Sequence, residues 1–112
     1  ITIDEKIYNR YKFKTDFIQK YIFPGGFLPS KKEILKLSNK NGLSFDKCNS
    51  YGLDYSNTLR IWRNDFQKKW DIISKQGFDE RFRRMWKFSL SDCEAGFKAK
   101  NIDLIQFSMN KN

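Results

Sequence analysis

Apolar residues recur at Ile7, Tyr8, Tyr11, Phe17, Ile18, Tyr21 and Ile22, with charged and polar residues between them. Intervals of three and four put such residues on one side of a helix. The pattern predicts a helix over 4–22, capped by Asp4 and broken near Lys14-Thr15, after a strand end at Ile1-Thr2-Ile3. Pro24-Gly25-Gly26 stops the run, because glycine admits positive φ and proline fixes φ and removes a donor. Ser30 and Glu33 form a capping box after Pro29, and the helix it opens is expected to reach Lys40 with Ile34, Leu35 and Leu37 inward. Asn41-Gly42 reads as its left-handed stop. Leu43 to Tyr51 alternates as a strand, with Leu43, Phe45 and Cys48 inward.

From Asp54 the period changes. Leu59, Trp62, Phe66, Trp70 and Ile73 form one stripe of a long helix that Gly77 ends. Asp79 caps another, striped by Phe82, Met85, Trp86, Leu90, Cys93 and Phe97 and ending near Asn101. Ile102 to Met109 reads as a last strand, with Ile105, Phe107 and Met109 on one face and Leu104 on the other. Strands alternating with helices predict an α/β sheet. Two strands and a strand end are too few to complete one, so the expectation is a piece of a longer protein whose other strands precede it. The absence of an initiator Met points the same way.

Composition narrows the partners. A chain of 112 residues is one small domain's worth of core, and aromatics at 17% give that core large side chains. No apolar run approaches the roughly 20 residues of a spanning helix. Ile-Thr-Ile stands where a signal peptide would place a basic segment, so none is expected. The net charge of +9 favours a polyanion partner such as an anionic membrane or nucleic acid, or else reflects a lysine-rich solvated surface. Arg81, Arg83 and Arg84 cluster, although Asp79 and Glu80 adjoin them. With no His, and with Cys48 and Cys93 far apart, neither a zinc site nor a His-assisted nucleophile can be assembled from this chain, and a reduced cytoplasmic setting is expected.

Specific wording adds to this. Tyr21 to Ser30, YIFPGGFLPS, resembles the cyclopropane-fatty-acyl-phospholipid synthases and the related mycolic acid cyclopropane synthases. Tyr51 to Trp62, YGLDYSNTLRIW, is similar to that family's G-x-x-Y-x-x-T-L-x-x-W segment, and Asp79 to Trp86, DERFRRMW, to its E-R-F-x-R-M-aromatic segment. Cys93 to Phe97 and Ile102 to Gln106 resemble its closing segments, so the likeness runs in order along nearly the whole chain. It implies the class I S-adenosylmethionine-dependent methyltransferase fold, a seven-stranded sheet with helices on both faces. Residues 1–3 would end the fifth strand, 43–51 would form the sixth and 102–109 the antiparallel seventh. The whole of 1–112 would then be the C-terminal part of a single methyltransferase domain. The cofactor's glycine-rich loop belongs to the first strands, outside this sequence, and Gly25-Gly26 is no substitute because no strand leads into it.

The resemblance also implies the chemistry: methylene addition across a cis double bond of a phospholipid acyl chain. The alkene attacks the sulfonium methyl group, and the resulting cation loses a proton to a bound bicarbonate as the ring closes. Such a reaction calls for an apolar, water-poor pocket with aromatic faces. Tyr55 matches the tyrosine whose hydroxyl holds the bicarbonate, and Ile1 a position whose backbone helps to hold it. Phe23, Gly25, Gly26, Phe27 and Leu28 are candidates for the acyl-pocket wall, or else for an ordinary packed turn. Arg81, Arg83 and Arg84 would meet lipid phosphates on an anionic leaflet, or else form a solvated helix face. Trp62, Phe66, Trp70, Trp86 and Phe97 keep helical spacing and read as core, and Cys93 reads as a packed thiol. The implied setting is the inner membrane face, with peripheral attachment and a possible homodimer of the full-length protein. Two other functions remain: methylation of an unsaturated lipid without ring closure, and a basic nucleic-acid-binding module. Core-like aromatic spacing and the lack of a nucleic-acid motif weigh against the second, so no nucleic-acid partner is expected.

Overall fold

The computed structural model describes residues 1–112. The Asp4 carboxylate accepts the Lys6 N–H at 2.8 Å and opens α1 (Glu5–Lys12). The helix expected over 4–22 is in fact two pieces, α1 and a π-helical turn at Ile18–Ile22. The break falls where the sequence placed it, and its cause is a second capping box. The Asp16 carboxylate accepts the Gln19 N–H at 2.8 Å, while the Gln19 side-chain oxygen accepts the Asp16 N–H at 3.0 Å. This reciprocal pair begins a new turn instead of continuing the old one. The Phe23 N–H reaches back to the Ile18 carbonyl at 2.8 Å, the wider closure of a π turn. Gly25, at φ +79°, then reverses the chain.

Ser30 accepts the Glu33 N–H at 3.2 Å to start α2 (Lys31–Lys40), and Gly42, at φ +73°, ends it as expected. Leu37 does not face inward. It is exposed, and Ser38 takes the buried place, its hydroxyl donating to the Ile34 carbonyl at 2.7 Å. This hydroxyl bond is what makes a buried serine tolerable.

The strands are β1 (Thr2–Ile3), β2 (Leu43–Ser50), β3 (Ile102–Asp103) and β4 (Ile105–Lys111). β1 pairs antiparallel with β3, Ile3 opposite Ile102, and β2 pairs antiparallel with β4, from Leu43 opposite Lys111 to Ser50 opposite Ile105. Only Leu104 separates β3 from β4. The expected last strand is therefore broken once and runs past Met109, lying between β1 on one side and β2 on the other. A bulge between Phe45 and Lys47 shifts the register of β2.

α3 (Gly52–Lys68) and α5 (Glu80–Lys98) pack against each other. The single helix expected to run from Asp54 to Gly77 is interrupted at Lys69, and α4 (Trp70–Ser74) follows as a short separate piece. α5 starts where the sequence placed it, with the Asp79 carboxylate accepting the Phe82 N–H at 2.8 Å. Leu59, Leu90 and Phe97 are the buried centre between the two helices, with Ile102 and Leu104 packed on them from the sheet. A buried polar seam runs beside this centre. The Glu94 carboxylate pairs with Arg63 and lies 3.4 Å from the Lys98 amine, and the Ser56 hydroxyl donates to the Glu94 carbonyl at 3.3 Å.

Candidate active site

Tyr55 lies one turn into α3, so its position depends on how α3 begins. Tyr51, the cap residue, offers no side-chain hydrogen bond. The Asp103 carboxylate does so from the sheet, accepting the Gly52 N–H at 3.0 Å and the Ser50 hydroxyl at 2.5 Å. A carboxylate against a helix N-terminus is doubly favoured, by the hydrogen bond and by the helix dipole. Gly52 allows this approach, since a Cβ there would lie 2.5 Å from the Asp103 oxygen.

From this start the Tyr55 ring meets Phe97 edge-on at 5.0 Å and Trp62 edge-on at 5.9 Å. Its hydroxyl bonds to no other group of the chain. Tyr55 lines a cavity of about 710 Å³ between the α3–α5 pair and the segment running from α1 to Leu28. Of the 26 residues that line it, 17 are apolar, which suits a hydrocarbon chain, with a few polar groups such as Tyr55 at the wall.

This cavity brings together Tyr55, Ile1, Phe23, Gly26, Phe27 and Leu28, all of which the sequence singled out. Gly25 stands outside it and serves the turn alone. Arg81, Arg83 and Arg84 are also outside, at the other end of α5. Arg83 sits over the Trp70 ring at 5.2 Å and lies 3.5 Å from Glu80, whereas Arg81 and Arg84 are exposed. Trp62, Trp86 and Phe97 read as core from their spacing, yet they line the cavity as well, and Trp62 is half exposed. Helical spacing identifies the face that points inward but does not say whether that face meets packing or a void. Cys93 joins them at the cavity wall.

The sequence reading gave no role in the site to Tyr11, Asp16, Gln19 or Asp92, all of which line the cavity. The Tyr11 hydroxyl accepts the Leu28 N–H at 2.8 Å and the Gln19 amide at 3.1 Å. The same Gln19 amide donates to the Gly26 carbonyl at 3.1 Å. The Tyr11 ring backs that of Phe27 at 5.1 Å. The Asp16-x-x-Gln19 spacing was the available signal, a capping box inside what looked like a continuous helix. Burial, and to a lesser degree the Asp16 charge, raise the pKa of Asp92. Burial, with Asp92 and Asp16 beside it, raises that of the Cys93 thiol and keeps it a neutral, poorly nucleophilic wall residue. Burial also raises the Tyr11 phenol, against the opposing effect of its bond from Leu28, so it stays a neutral hydroxyl.

No three acidic, Cys or His side chains converge to hold a metal. No strand leads through a glycine-rich turn into a helix. The unbonded Tyr55 hydroxyl does suit a small oxyanion, which it would hold by donating a hydrogen bond.

The profile of the mycolic acid cyclopropane synthetase family matches residues 1–107. The tuberculostearic acid methyltransferase UfaA1 of Mycobacterium tuberculosis is 42% identical over 94 residues, which cover 83% of this chain and 22% of that protein. The cyclopropane-fatty-acyl-phospholipid synthase of Escherichia coli K12 is 39% identical over 90 residues, covering 80% of this chain and 23% of that protein. The chain thus spans less than a quarter of either relative. Among solved structures, the cyclopropane synthase MmaA2 of Mycobacterium tuberculosis superimposes with a TM-score of 0.81 over 98% of this chain and 41% of its own, at 24% identity. The mycolic acid cyclopropane synthase CmaA1, solved with SAH and CTAB, gives 0.78 over 95% of this chain and 36% of its own, at 29% identity. The architecture is the C-terminal part of the S-adenosylmethionine-dependent methyltransferase fold, and the chain belongs to the mycolic acid cyclopropane synthetase family.

Proposed function

We propose that residues 1–112 form the C-terminal part of a single methyltransferase domain that adds a methylene group across a cis double bond of a phospholipid acyl chain. One observation carries this reading: an unbonded Tyr55 hydroxyl on the wall of a largely apolar cavity. Its volume of about 710 Å³ falls within the ~300–1,000 Å³ usual for small-ligand sites. Family membership and the phospholipid-acting relative at 39% identity support the same substrate class.

S-Adenosylmethionine, held by the part of the domain outside this chain, supplies an electrophilic methyl group. The residues here do the rest of the work assigned to this side of the site. Phe23, Phe27 and Leu28 give the cavity an apolar wall, which the reaction needs because water would trap a carbocation. The faces of Tyr55, Trp62 and Trp86 can stabilise positive charge passing near them. Tyr55 would hold a bicarbonate ion through its hydroxyl, with the Ile1 backbone on the same cavity, and a base so placed would take the proton released at ring closure.

Arg81 and Arg84 are free to meet anionic headgroups, at about 1 kcal/mol each near a charged leaflet, which favours peripheral attachment to a membrane. No helix is long and apolar enough to cross one.

The test is to express the full-length gene in cells rich in unsaturated phospholipids and analyse the lipids by mass spectrometry and proton NMR. A mass gain of one methylene with the ring-methylene signal supports the proposal. The same gain without that signal means methylation without ring closure. No gain on any acyl chain refutes the reading.

A further inference from the structure

We propose that Tyr11 and Gln19 are positioning residues that fix the Phe23–Leu28 loop against the cavity and thereby select which double-bond position along an acyl chain is presented to Tyr55. The inference deepens the lipid reading above and rests on it.

The loop has little to hold it in place by itself. Between the π turn and α2 it forms no helix or strand, and Gly25 and Gly26 lie at its centre. Its internal tether is a single turn bond, Gly26 N–H to the Phe23 carbonyl at 2.9 Å. Its far end is fixed by the Ile3 N–H bonding to the Pro29 carbonyl at 3.0 Å. What sets the middle of the loop is the side-chain clamp. The Leu28 N–H donates to the Tyr11 hydroxyl, and the Gln19 amide bridges that hydroxyl to the Gly26 carbonyl. Two donors thus converge on one phenol oxygen, which fits a neutral phenol with two lone pairs.

The clamp is itself anchored. Gln19 is locked at both ends of its residue by Asp16, so its amide does not swing freely. Tyr11 projects from α1, and its ring supports Phe27. Phe27 and Leu28 form one wall of the cavity that Tyr55 also lines, so a shift of the loop changes the depth at which a chain comes to rest before Tyr55. Reactions that depend on near-contact alignment lose about 100-fold for a displacement of about 1 Å. A looser wall should therefore both slow the reaction and blur the choice of double bond.

The experiment uses the full-length protein and vesicles of phosphatidylglycerol carrying either oleoyl or cis-vaccenoyl chains, whose double bonds differ in position. Initial rates are measured for the wild type, Tyr11→Phe, Gln19→Met and the double variant. Each single variant is expected to lower kcat by about tenfold or more and to move the kcat/KM ratio between the two lipids toward unity by about threefold or more. The double variant should match the singles instead of multiplying their effects, because both remove one clamp. If Tyr11→Phe fails to fold, Gln19→Met, which keeps the side-chain volume and removes the amide together with its bond from the Asp16 N–H, carries the same comparison, with the melting temperature measured beside it. A lower melting temperature with an unchanged selectivity ratio would make the clamp purely structural and overturn the inference. A wild type inactive on both lipids would overturn the lipid reading and the inference together, and so is distinct from an active wild type whose variants keep its selectivity.

Discussion

Gly52→Ala should destabilise the protein although it replaces a poor helix former with the best one. Alanine is favoured over glycine by about 1 kcal/mol in a helix interior, an upper bound for Gly52 at the first position of α3. At this position, however, the new Cβ would lie 2.5 Å from the Asp103 carboxylate oxygen and 3.4 Å from Phe97 Cδ1. Asp103 must retreat, and in doing so it weakens its bonds from the Gly52 N–H and the Ser50 hydroxyl. Hydrogen bonds to a charged acceptor contribute about 1.5–3 kcal/mol each. Losing most of both, offset by the helix gain, leaves a net cost of about 2–4 kcal/mol. Urea unfolding of the full-length protein reads this as a fall in the midpoint at constant slope. A double-mutant cycle isolates the cause. In an Asp103→Ala background the obstructing oxygen is gone, so Gly52→Ala should be nearly neutral or mildly stabilising. An equal cost in both backgrounds, or no cost in the first, would refute the role given to Asp103 at the head of α3.

Arg63→Met should cost roughly 3 kcal/mol in thermal or urea unfolding, because it leaves the buried Glu94 carboxylate with only the exposed Lys98 as a partner; a change near zero would mean that Lys98 alone compensates. Asp92→Asn should stabilise the protein near neutral pH. The folded-state pKa of Asp92 is raised, by burial first and Asp16 second, so its contribution is fully present below the unfolded value of about 3.9 and is lost as pH rises through the folded pKa. The gap in urea midpoint between Asp92→Asn and wild type should accordingly close below about pH 4, and a gap independent of pH would contradict this.

Much of the fold was legible because local chemistry agreed with global placement. Asp4, Ser30 and Asp79 cap helices in the structure as their spacing indicated, and Gly42 takes the positive φ of a helix stop. The strand end at Ile3, the strand from Leu43 and the terminal strand from Ile102 were recognisable from alternation. What escaped depended on partners distant in sequence. Leu37 looked inward by period, but the face α2 buries is set by what packs on it, and Ser38 is buried there against Met109. The break at Lys69 carries no proline or glycine to announce it. Tyr55, Phe23, Gly26, Phe27 and Leu28 were singled out by wording and come together on one cavity, whereas Tyr11 and Gln19 had no such signal. Their significance comes from a loop that folds back across α1, a contact no local pattern encodes. Trp62 shows the opposite limit: its spacing is that of core, yet it lines a cavity.

Turnover of full-length Tyr55→Phe on vesicles of unsaturated phospholipid addresses the central claim most directly. The substitution removes one oxygen, bonded to nothing else in the chain, and leaves the ring contacts with Phe97 and Trp62 in place. The account predicts a fall in kcat of about 100-fold or more, the range expected when the bicarbonate that takes the proton loses the hydroxyl that holds it, with the melting temperature unchanged. Wild-type turnover by Tyr55→Phe would contradict it.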